Sequence, residues 1–259
     1  METKLNYKRT FLIGLAFLSI CSFWQMYDNI IPLILQNTYH LGETMTGAVM
    51  ALDNVLAIFL LPVFGTLSDK VHTKLGRRMP FIVSGTILAV IFMMLLPMID
   101  NAEKARWGTG ESFSNQVIFL AVLFFTLVSM GLYRSPAVAL MPDVTPNHLR
   151  SRANAVINLM GAVGGVYALI MIKVLVGKGE TPDYLPLFAS IAAVMAIAVG
   201  ILVMTIRENK LREEVEKAEA AIAETIEEKA MAEGVEAVGE IEAVGDTGAV
   251  KASDGKKQT

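Results

Sequence analysis

The sequence predicts an all-α integral membrane protein: a six-helix transmembrane bundle followed by a charged tail. Three observations predict it. Hydrophobic residues make up 54% of the 259 residues and charged residues 18%, with a mean hydropathy of +0.51. Apolar runs near 10–35, 44–67, 79–98, 116–140, 153–176 and 184–206 are each long enough to cross a bilayer at about 20 residues per crossing. The basic residues between those runs also favour one side. Lys4, Lys8, Arg9, Lys70, Lys74, Arg77, Arg78, Arg150, Arg152, Arg207, Lys210 and Arg212 fall there, against Lys104, Arg106, Lys173 and Lys178 on the other. By the positive-inside rule both termini are cytoplasmic, which predicts a multi-pass protein of the cell membrane. Trp107 sits where an outer interfacial anchor is expected.

The N-terminus has the charged-then-apolar form of a signal peptide. Its apolar run, however, continues from Phe11 through Gln25 and Asp28 to Leu35 without a small-residue cleavage site, so it reads as a retained first span. Within that span Cys21, Gln25, Asp28 and Pro32 recur at spacings of four, three and four, one helical face directed into the bundle. Trp24 and Tyr27 flank Asp28 and Asn29 with aromatic surface able to stack on a sugar ring. The second span adds Asp53 and Asn54. Carboxylates inside spans are costly and functional by default, so Asp28 and Asp53 are candidates for a proton or substrate pathway, the alternative being helix-to-helix hydrogen bonding.

Arg134 in the fourth span and Asn158 in the fifth lie at similar depth and complete the pathway candidates, Gln25, Asp28, Asn29, Asp53, Asn54, Arg134 and Asn158. Asp28 and Arg134 are offset by roughly 15 Å along the membrane normal at 1.5 Å per residue, too far for a direct salt bridge. Gly161, Gly164 and Gly165 give the fifth span a small-residue packing face. The 15 methionines are scattered and read as adaptable lining. Lone Cys21 cannot form an intrachain disulfide.

After Arg207 the composition turns to Glu, Lys and Ala. Residues 207–233 read as a charged, helical cytoplasmic linker helped by the Glu213–Lys217 pair, and 234–259 as a disordered tail beyond the 1–206 bundle. The net charge of −3 is segregated in this way and implies no nucleic-acid partner. There is no phosphate-binding glycine loop, nucleophile elbow or metal-spaced Cys/His set, and His40, His72 and His148 lie in or near loops. Neither enzymatic chemistry, a cofactor nor a metal is expected.

Between the second and third spans the chain reads Gly65-Thr-Leu-Ser-Asp69-Lys-Val-His-Thr-Lys-Leu-Gly76-Arg77-Arg78-Met-Pro80. This resembles the signature loop of the major facilitator superfamily. With Pro62-Val-Phe-Gly65, Pro136-Ala-Val-Ala-Leu-Met-Pro-Asp143 and Arg152-Ala-Asn154-Ala, it is similar to two branches: sucrose-type sugar:proton symporters and glycoside–pentoside–hexuronide:cation symporters. The resemblance implies a gating role for Gly65, Asp69, Gly76, Arg77 and Arg78. In it, Asp69 latches onto a helix of the other half of the transporter.

Two positions depart from the pattern. Where melibiose-type relatives carry paired carboxylates this chain has Ala57 and Leu61, which turns the expectation from sodium to protons. Where sucrose-type relatives place an arginine it has Val138, with Arg134 one turn earlier. The family fold has two six-span halves, and this chain resembles the N-terminal one. The expected function is half of a secondary active sugar or glycoside symporter, completed by a C-terminal half or a second copy. The alternative is a non-transporting membrane scaffold or inactive truncated fragment. The expected partners are a small-molecule sugar, protons and the lipid bilayer.

Overall fold

The computed structural model describes residues 5–71, 73–106, 113–177, 179 and 182–232. Helix α1 runs Tyr7–Asn37, α2 Glu43–Met50, α3 Leu52–Lys70, α4 Met79–Ala105 and α5 Phe113–Asp143. A single 3-10 turn at Asn147–Leu149 leads into α6 (Arg150–Leu175), followed by α7 (Leu185–Thr205) and α8 (Glu208–Ala232). Helices α2 and α3, separated only at Ala51, act as one crossing over Glu43–Lys70. With α1, α4, α5, α6 and α7 this gives six helices long and apolar enough to span a bilayer. Trp107 and the expected tail 234–259 lie outside the described residues.

Local sequence sets the ends of these helices. The Asn6 side chain accepts the Arg9 N–H at 3.2 Å and caps α1, while Pro80 and Pro186 occupy the first turns of α4 and α7, where an N–H has no helical partner anyway. Prolines 32, 62, 97, 136 and 142 stand inside helices. Spanning helices tolerate them because neighbours and hydroxyl side chains re-satisfy the backbone groups they free.

Helices pack by close approach, since hydrocarbon supplies no hydrophobic drive between them. The tightest seam joins α1 to α6. A methyl group at Gly164 would strike the Leu18 carbonyl, one at Gly161 would lie 2.9 Å from the Cys21 sulfur, and one at Gly14 would lie 2.7 Å from Met160. Ser22 Oγ spans the seam within reach of both the Leu18 and Gly164 carbonyls, at 2.8 and 2.9 Å. A second close contact joins α4 to α5, where a Cβ on Gly85 would be 2.6 Å from the Tyr133 backbone nitrogen. The hydroxyls of Ser19 and Tyr133 lie 2.6 Å apart beside the Ala16 carbonyl, pinning α5 to α1 with every polar atom partnered.

The third span differs from its hydropathy-based limit. It continues past residue 98 to Ala105, because the charged turn that follows is held by neighbouring elements. Lys104 Nζ donates to Asp100 Oδ2 and to the Pro182 carbonyl, each at 2.6 Å, and stands 4.5 Å from the Tyr184 ring centroid. Asn115 donates to Glu103 and Asn101 donates to Asp183, each at 2.7 Å. The Asn101 amide and the Leu185 N–H hold the Asp183 carboxyl below its usual range. This cluster closes the end of the bundle opposite the α3–α4 turn.

The chain divides into two compact units at residue 219/220. The first takes in the six crossings and the opening turns of α8, with Leu211 and Val215 buried. The described part of the second is the remainder of α8, which continues as helix through Ala232.

The α1–α6 seam predicts a graded response to added methyl groups. Gly164→Ala should destabilise the bundle by about 1–3 kcal/mol, the usual cost of overpacking. Gly165→Ala, whose Cβ would meet only the Gln25 oxygen at 3.6 Å, should be close to neutral. Thermal unfolding in detergent checks this, and equal midpoints for the two variants would contradict the seam.

Candidate functional site

The first-span face predicted from spacing is the wall of a cavity. Between α1 and α6 lies a space of about 420 Å3, lined among others by Cys21, Trp24, Gln25 and Asp28 from α1 and by Asn158 and Gly161 from α6. Residues 21, 25 and 28 share a helical face, and 158, 161 and 165 share the opposing one, so the two periodicities meet at the opening. Of the glycines read from sequence as packing residues, Gly161 serves twice, packing against Cys21 and lining the cavity, whereas Gly165 lines the cavity without a close contact. Their spacing from Asn158 is the signal that reveals it.

A second space of about 20 Å3, room for a single water, lies on the other flank of Trp24. Asp53, Ala57 and Leu61 of α3 line it with Gly131 and Arg134 of α5. The indole thus stands between two polar groups of the predicted set, Gln25, Asp28 and Asn158 on one side and Asp53 and Arg134 on the other. Packing fixes the ring: Phe23 and Tyr27 meet it edge-on, each at 5.4 Å between centroids, and the Arg134 guanidinium lies 5.5 Å from its centre. The indole Nε1 and the Tyr27 hydroxyl are buried without a hydrogen-bond partner among the described residues.

Not every candidate joins these spaces. Asn29 turns back to donate to the Gln25 carbonyl at 2.7 Å, and Asn54 donates to Asp53 at 2.9 Å, a positioning contact. No ion pair joins Asp28 to Arg134 among the described residues.

The α3–α4 loop forms a separate polar network at the basic end of the bundle. Thr73 and Gly76 exchange backbone hydrogen bonds at 3.3 and 3.2 Å, a turn that Gly76 completes at φ +127°, a conformation side chains rarely adopt. The chain then delivers three consecutive backbone N–H groups to one carboxylate. Glu208 accepts from Arg77 N at 2.8 Å, from Arg78 N at 3.0 Å with each oxygen, and from Met79 N at 3.1 Å. Those of Arg78, the N-cap, and Met79 are orphan donors at the start of α4, where the helix dipole also favours negative charge, and that of Arg77 comes from the loop just before it. A methyl at Gly76 would collide with this carboxylate.

Arg78, itself buried, fans its guanidinium over four partners, the weakest of them the Gly65 carbonyl at 3.4 Å. Nε meets Asp143 at 2.9 Å, Nη2 meets Asp69 at 2.7 Å and Nη1 donates to Ser68 Oγ at 2.6 Å. Arg77 adds a second contact to Asp143 at 3.1 Å and lies 4.0 Å from Asp69. The expectation that Asp69 finds its partner only in another half is thereby corrected. A guanidinium with five donors serves several carboxylates at once, so Asp69 is engaged inside its own bundle. Sequence reading missed Glu208 and Asp143 as members of this network. The sole clue to Glu208 is an acid directly after the last span.

A family model described as the Major Facilitator Superfamily matches residues 13–241. The chain belongs to the major facilitator superfamily. Among individual proteins, this superfamily member is 26% identical over 137 residues to the sucrose transport protein SUT3 of Oryza sativa subsp. japonica, a match covering 50% of the chain and 27% of that protein. It is 34% identical over 116 residues to the sucrose transport protein SUC4 of Arabidopsis thaliana, covering 42% of the chain and 22% of that protein. The matches thus span about a quarter of the length of these curated relatives. Its fold is a multi-pass, six-helix transmembrane bundle like the N-terminal half of a major facilitator transporter.

The network ranks its carboxylates. Glu208→Ala strands three N–H groups at the start of α4 and should cost roughly 2–4 kcal/mol of bundle stability. Asp69, half-exposed at 47%, should cost under about 1 kcal/mol as Asp69→Ala, because Arg78 keeps Asp143 and Ser68. Thermal midpoints of the two variants in detergent give the order. Asp69→Ala as the more damaging change would reverse this assignment.

Proposed function

We propose that this chain forms the N-terminal half of a proton-coupled sugar or glycoside transporter, in which a complementary six-helix unit supplies the facing wall. The observation that carries this reading is the exposure of polar residues at membrane depth. Asp28, Asn54 and Asn158 lie within spanning helices yet are exposed on this bundle. An aspartate left to hydrocarbon costs about 2.5–3.5 kcal/mol near mid-helix, so such a face needs a protein partner or a water-filled path. The crossing formed by α2 and α3, whose most apolar stretch has no buried residue in this chain, offers the partner a long surface.

In this arrangement a sugar ring stacks on Trp24 while Gln25 and Asn158 hydrogen-bond its hydroxyls, a mostly apolar cleft with a few placed polar groups. Asp28 is the carboxylate of the larger cavity and carries the proton. Arg134 positions Trp24 and answers the charge of Asp53 from the smaller space. Ala57 and Leu61 stand in that space where the resemblance to melibiose-type relatives would place paired carboxylates, leaving Asp53 there with Arg134, which favours protons over sodium as the coupling ion. The names of the sucrose transport proteins support a sugar as the cargo. Asp69, Arg77 and Arg78 act as a gate, where a helix terminus of the complementary unit would compete for charge and shift the balance of inward- and outward-open states.

Proteoliposomes holding the chain with a complementary six-span unit, screened over disaccharides with and without a pH gradient, test the proposal. Uptake should require both units and rise with the gradient. Asp28→Asn should abolish accumulation while membrane insertion is kept, and undiminished accumulation would return Asp28 to a structural role. For orientation, in a Cys21→Ala background, an impermeant thiol reagent added outside cells should label a cysteine at Gly177 and spare one at Thr73. The opposite pattern would invert the topology.

A further inference from the structure

Away from the polar cavities, α4 and α7 pack side by side and leave a cleft of about 460 Å3 between them. Val83, Ile87 and Ile91 line one wall, and Ala196, Gly200 and Met204 the other. Thr86, the single hydroxyl in the lining, is already committed to the Ile82 carbonyl at 2.7 Å. Ile87, Ile91 and Met204 are exposed at 55%, 51% and 80%, so the cleft opens outward from the bundle. Both helices are spans, and the medium at that depth is hydrocarbon. A polar ligand would find no partner there, whereas an alkyl chain would find continuous apolar contact. Gly200 makes the notch, with no atom within 4 Å of where its Cβ would stand.

The end of the cleft adds charge. Its α7 wall, 196–204, is the last half of a helix that stops at Thr205, and Arg207 and Lys210 follow at once. Both are exposed, and their side chains have no ion-pair or hydrogen-bond partner among the described residues. The neighbouring acids are occupied: Glu208 by the start of α4, Glu213 by Lys217, Glu214 by Arg9 and Glu216 by Arg212. An uncompensated positive rim therefore borders an alkyl-sized cleft.

We propose that this cleft binds an anionic phospholipid, with one acyl chain along Gly200 and the phosphate at Arg207 and Lys210. Seating the chain adds dispersion contacts but little transfer energy, since tails are already in hydrocarbon. Selectivity accordingly comes from the headgroup, at about fivefold per basic residue near the membrane surface. The site does not depend on what the central cavity carries.

The test uses the purified full chain in detergent, titrated with phosphatidylglycerol or with phosphatidylcholine of the same chains. Bound lipid is counted by native mass spectrometry and the thermal midpoint is followed in parallel. Wild type should retain phosphatidylglycerol at least about fivefold better. Arg207→Gln with Lys210→Gln should erase that preference and leave phosphatidylcholine retention unchanged. Gly200→Leu, which fills the notch with a better helix former, should lose retention of both lipids while keeping its lipid-free midpoint. Inorganic phosphate should give no comparable protection. Equal retention of the two lipids by wild type would mean unselective annular lipid, and full phosphatidylglycerol retention by Gly200→Leu would place the acyl chain outside this cleft. Protection by phosphate alone would make the rim an anion site without a lipid. Any of these three results overturns the proposal.

Discussion

The contact of α1 with α6 through glycine is the constraint on which the rest of the bundle depends. Lipid tails are as apolar as the side chains they touch, so helices stay together only where their surfaces fit and their polar atoms find each other. At Gly164 the α6 backbone lies directly against the Leu18 carbonyl, and Ser22 reaches across to the carbonyl of Gly164. Fixing the two helices there fixes the distance between Gln25 and Asn158, and hence the width of the cavity beside them. The packing seam and the polar cleft are consecutive stretches of the same two helix faces.

Charge is handled by segregation. At the basic end, Glu208 and Asp143 come from segments far apart in sequence and converge on Arg77, Arg78 and the first N–H groups of α4. The start of α8 is thereby attached to the loop between the second and third crossings. At the opposite end Lys104 ties α4 to the segment before α7 through the Pro182 carbonyl. In both places an ionic group is held by neutral backbone partners as well as by counter-charges, which lets it be desolvated without an orphaned charge.

Much of this was legible in the sequence because membrane proteins write their organisation in local composition. Span number and the shared face of Cys21, Gln25 and Asp28 follow from runs and spacings. The extension of α4 to Ala105 was not legible, since Asp100, Glu103 and Lys104 lower any local average and their partners, Asn115 and Pro182, lie in other segments. Glu208 was hidden for the same reason: its partners stand about 130 residues earlier, and nothing around it distinguishes a cap from a solvated acid. The double service of Gly161 was half visible, because a small-residue stripe announces close packing but not the void beside it.

Trp24 has a consequence beyond stacking. Indole emission depends on local polarity and on nearby charge, and this ring has a cavity on either side and a guanidinium 5.5 Å from its centre. The chain holds two tryptophans. With the other replaced by phenylalanine, the bundle becomes its own optical gauge, in which displacement of water from either flank of the ring is read as a change of colour without any attached dye.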